Sequence, residues 1–79
     1  MKNRNYCLYL HHNEIMRYHY SNTPVLYGNF QECLDYISKK LEEVLKDKDI
    51  KIISASNTEL HIRNEKTESD DFYFIVVCK

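Results

Sequence analysis

Seventy-nine residues with one glycine, one proline, three cysteines and a net charge of −1 leave room for one small domain. A chain this short buries about 60% of the surface its unfolded form exposes, so a single modest core is all it builds. One glycine excludes a P-loop or dinucleotide fingerprint, three cysteines without a CxxC pair exclude a disulfide framework, and no apolar run nears the roughly 20 residues of a membrane span.

Charge is mildly lopsided. Residues 1–27 hold Lys2, Arg4 and Arg17 against Glu14, while residues 28–79 hold eight basic and eleven acidic groups. The cysteines read as reduced thiols, and the first residues, MKNRNYCLYLHHNE, lack the long apolar core of a signal peptide. Both point to a cytoplasmic protein. Abundant Lys, Asn, Ile, Tyr and Glu match AT-rich codons, as in a low-GC bacterium, phage or mobile element.

Residues 6–12, YCLYLHH, alternate as a strand, with Leu8 and Leu10 on one face and Cys7, Tyr9 and His11 on the other. Asn13-Glu14 reads as a tight turn. Residues 15–20, IMRYHY, then return as a second strand, with Met16 and Tyr18 facing the core and Arg17 and His19 facing away. Ser21-Asn22-Thr23-Pro24 reads as a break, because Pro24 has no N–H for a ladder. Val25-Leu26-Tyr27 extends the strand before Gly28 turns the chain.

Gly28 to Lys46 is the segment with a helical period. Phe30, Cys33, Leu34, Ile37, Leu41, Val44 and Leu45 recur every three or four residues, giving one apolar stripe opposite a polar face. Asn29 is placed to cap the first turn.

After a polar connector at 47–49, residues 50–55 (IKIISA) predict a third strand with Ile50 and Ile52 inward. Residues 59–63 (ELHIR) predict a fourth, with Leu60 and Ile62 inward and His61 and Arg63 outward. Asn64 to Asp71, NEKTESDD, reads as a polar loop. Residues 72–78, FYFIVVC, predict a last strand, apolar on both faces and therefore central in the sheet. Its expected phase puts Phe72 and Phe74 under the helix and Tyr73, Ile75 and Val77 outside.

The implied architecture is one α+β domain over residues 1–79: a single antiparallel sheet with one helix on one face, in the order β-β-α-β-β-β. One helix covers one face. The other is left showing Tyr9, His11, Arg17, His19, Arg63 and Tyr73, residue types enriched at interfaces.

Four histidines and three cysteines raise the question of a metal. Cys7-x3-His11 is the nearest approach to ligand spacing, and it lacks the paired ligands of a zinc site, so no metal is assigned. No nucleophile elbow or cysteine at a helix start appears, so no catalytic residue and no cofactor is assigned. Glu68, Asp70 and Asp71 do not follow a calcium-loop pattern. They read as a solvated acidic loop and a second contact site able to mimic phosphates.

The reading that follows is a small non-enzymatic protein-binding domain. The candidate role is a phage or mobile-element inhibitor of a bacterial defence complex, acting by occlusion in an anti-CRISPR-like manner. Two alternatives stay open: a single-stranded nucleic-acid-binding module using sheet aromatics, and a homodimer joined through the last strand.

Overall fold

The structure is a computed structural model that describes residues 5–14 and 19–78, without the side chains of His19 and Tyr20. Its elements are β1 (Asn5–Glu14), β2 (His19–Gly28), α1 (Phe30–Leu45), β3 (Ile50–Ala55), β4 (Glu59–Asn64) and β5 (Ser69–Cys78). All five strands join one sheet in the order β2-β1-β5-β4-β3, and every neighbouring pair is antiparallel. The α+β order implied by the sequence is therefore the observed one. The apolar last strand is central, as FYFIVVC requires, with β1 on one side and β4 on the other.

The helix begins where the side chains allow. Asn29 Oδ1 accepts from the Glu32 N–H at 2.8 Å, and Glu32 Oε1 accepts from the Asn29 N–H at 2.9 Å. This reciprocal box satisfies two backbone donors that a helix start otherwise leaves free. From that start the stripe of Cys33, Ile37 and Val44 is buried against Leu8, Leu60, Ile62 and Tyr73 of the sheet. The result is a two-layer slab with extents of 46 × 27 × 15 Å.

Four local expectations are corrected. Asn13 and Glu14 are not a turn: they pair with Tyr20 and His19 and also with Asp70 and Ser69 of β5. A second partner strand carries β1 past the point where its apolar alternation ends. Of the strand expected at 15–20, residues 15–18 lie outside the described residues.

Pro24 does not break β2. It lies in the edge strand, where a missing N–H costs no ladder bond. Val25 beside it is the extra residue of a bulge, since Leu8 pairs with Leu26 and Tyr9 with Pro24.

The loop at 64–71 is shorter than its composition suggests, because Ser69, Asp70 and Asp71 belong to β5. The turn is held by Asn64 Oδ1, which accepts from the N–H groups of Lys66 and Thr67.

The phase of β5 is the reverse of the expected one. Phe72 pairs with His11 and His61, and Phe74 with Tyr9 and Glu59, all on the open face. Tyr73 pairs with Leu10 and Leu60 under the helix, and Ile75 packs against the same core. A strand apolar on both faces has no alternation to fix its phase. Flanking polar pairs fix it here: Asp70 meets Arg63, and Asp71 meets His12.

Candidate binding face

The open face is built in rungs across the sheet. In antiparallel pairs, directly opposed side chains touch. One rung runs from Tyr9 to Phe74 to Glu59, and the next from His11 to Phe72 to His61. Tyr9 stacks on Phe74 with centroids 5.8 Å apart and 19° between planes. Phe72 is flanked by both imidazoles, with His61 stacked at 3.9 Å and His11 tilted at 5.8 Å. Each ring is half-buried by its neighbours, so the face is already ordered before anything docks on it.

The rung beyond is charged. Asp70 is only 7% exposed, and its carboxylate accepts from His61 Nε2 at 3.0 Å and Arg63 Nη1 at 3.3 Å. A buried carboxylate with two such donors is compensated. Next to it, Lys51 Nζ lies 3.3 Å from Glu65.

At the opposite end, Cys7 is fully buried. The Cys7 sulfur, first by its charge when ionised, holds the hydroxyls of Tyr9 and Tyr27 above the ordinary tyrosine range. Burial and then Cys7 raise the Cys78 thiol in the same way. A thiol raised in this way, as at Cys78, is a poor nucleophile. Tyr27 itself is 66% exposed. A groove of about 280 Å³ opens between the two phenylalanines and β3, lined by Ser54, Glu59, His61, Phe72 and Phe74.

The site residues expected from sequence separate into groups. Tyr9, His11 and Arg63 come together on this face. Tyr73 does not: it is 5% exposed, tilted against Tyr36 with centroids 6.3 Å apart, and its hydroxyl is pushed well up by burial. Asp70 belongs to the face rather than to a mobile acidic loop, and Asp71 lies on the helix side. Glu68 remains an exposed turn residue. Arg17 is outside the described residues, and so is the side chain of His19. Phe72 and Phe74 are the site residues that sequence reasoning missed. No alternation in the sequence marks them, because the apolar run fills both faces and the adjacent Asp70 and Asp71 also lie on opposite faces.

A second cluster lies on the helix side. His12 Nδ1 is 2.5 Å from Asp71 Oδ1, and Nε2 is 2.9 Å from Glu14 Oε1. Hydrogen bonds to Glu14, then to Asp71, raise the His12 pKa above its ordinary value. Both ring nitrogens are hydrogen-bonded to carboxylates. Among the described residues no group of three or more His, Cys, Asp or Glu is arranged to hold a metal ion.

Two copies cannot join edge to edge through the last strand, because β1 and β4 take both edges of β5. Among the described residues no helix is long and apolar enough to cross a membrane. No family model, curated protein or solved structure matches the chain.

Proposed function

We propose that this chain is a non-enzymatic protein-binding domain that lays the open face of its sheet on a partner protein and occludes it. The observation that carries the reading is the pre-stacked set Tyr9, Phe74, Phe72, His11 and His61, on the side the helix does not cover. Rigid aromatic side chains lose little entropy on docking and dominate interface energies. The groove beside Phe72 and Phe74 takes one apolar side chain of the partner. Size and codon style fit a phage or mobile-element inhibitor whose target is a bacterial defence complex.

Among the described residues, charge favours protein over nucleic acid. Arg63 is engaged by Asp70 and Lys51 by Glu65, and Glu59 stands on the same face as Phe74. A surface that follows a phosphate backbone presents free cations in a patch.

Affinity capture from host lysate with the intact protein and with a Tyr9→Ala/Phe74→Ala variant tests the reading. The intact protein retains a partner in salt, and the variant, with unchanged circular dichroism, loses it. Equal capture by both removes the sheet face from the argument. Capture that collapses steeply with salt and depends on added single-stranded DNA or RNA favours the nucleic-acid reading, since phosphate contacts release counterions.

A further inference from the structure

The two edges of the sheet are unlike. Both edges carry a bulge, but the β2 edge also carries Pro24, which disfavours adding a strand. The β3 edge, IKIISA, has no proline and a single charge, Lys51, already held by Glu65. Among the described strands β3 pairs with β4 alone, so its outer row of backbone groups faces outward. Apolar side chains line this margin. Ile52 is 36% and Ile53 50% exposed, and Leu45, in the last helical turn just before β3, is 69% exposed.

We infer that β3 is a self-association edge, pairing antiparallel with β3 of a second copy across a two-fold axis. An isologous contact of this kind uses the same patch twice and closes at two copies. It makes one ten-stranded sheet, with both helices on one side and both aromatic faces on the other. Leu45, Ile52 and Ile53 at their present exposures amount to roughly 300 Å² per copy. Two such patches, with the strand backbone between them, fall below the ~1,000 Å² of a stable interface, so the pairing is a weak one that forms at high concentration. The one charge on the strand, Lys51, is paired with Glu65 of its own chain. The bulge at Ile53, where pairing shifts between Ile52 and Ser54, limits the new ladder to a short stretch and disfavours open-ended stacking. The open face is not used, so this inference stands or falls apart from the proposed function.

Light scattering on the full chain at about 100 µM, well above a micromolar Kd, gives the result. The expected mass is twice the 9.6 kDa of the chain. A Leu45→Glu/Ile53→Glu variant, both positions exposed, returns to one copy, with self-association weakened at least tenfold. A monomeric wild type overturns the inference. So does a dimer that survives the double variant, one dissolved instead by Tyr9→Ala/Phe74→Ala, or a mass that climbs past two copies. If the double variant loses its circular dichroism, amide exchange of wild type at low and high concentration decides. Slower exchange over residues 50–55 at high concentration supports the edge, and identical exchange overturns it.

Discussion

Glu68 is the one non-glycine residue with positive φ among the described residues, at 54°. A side chain in the left-handed region costs about 1–2 kcal/mol, and glycine there is free of it. Glu68→Gly gives back part of its gain as unfolded-chain entropy. The net expectation is a stabilisation of about 0.5–1 kcal/mol, read as a rise in Tm of several degrees for a chain this size. His12 makes the complementary case. Its folded pKa lies above the unfolded value of about 6.5. Its contribution to stability is therefore complete below about pH 6.5 and is lost as pH rises through the folded value. Denaturant midpoints should fall as pH rises above about 6.5, and His12→Gln should flatten that slope. A slope unchanged in the variant would assign the effect to other groups.

At the scale of elements, the reversed phase of β5 has a sharp mutational signature. Tyr73 is buried beneath the helix, so Tyr73→Ala should cost about 3–5 kcal/mol, the range for emptying a large aromatic site. Phe74→Ala, on a half-buried outer ring, should cost markedly less in chemical denaturation. The opposite ranking would put Phe74 in the core. The helix was legible because a period near 3.6 and a capping asparagine say the same thing twice. β1 and β4 were legible because polar and apolar residues alternate along them. β5 was legible as central, since both faces are apolar, yet for that same reason its phase was not. Pro24 misled because its penalty depends on whether a strand lies at an edge, which pairing decides and local sequence does not. The site followed suit: Tyr9, His11 and Arg63 stand on alternating strands and were found, while Phe72 and Phe74 were not.

On the scale of the whole molecule, the strand that joins the two hairpins into one sheet follows both of them in the chain. The hairpin of β1 and β2 and the hairpin of β3 and β4 do not touch as neighbours; β5 lies between them. Its pairing reaches from Cys78 back to Asn5, a long loop to close, and such non-local pairing slows folding into the millisecond-to-second range. Before β5 is made, the two hairpins share no strand pairing and meet only across the helix that packs on both. A chain ending at Glu68 should show no cooperative thermal transition, and adding a synthetic peptide of residues 69–78 should restore one. A nascent chain would stay open to proteases until residues 69–78 are free of the ribosome and able to pair, so the shape of this protein waits on β5 and not on the hairpins made before it.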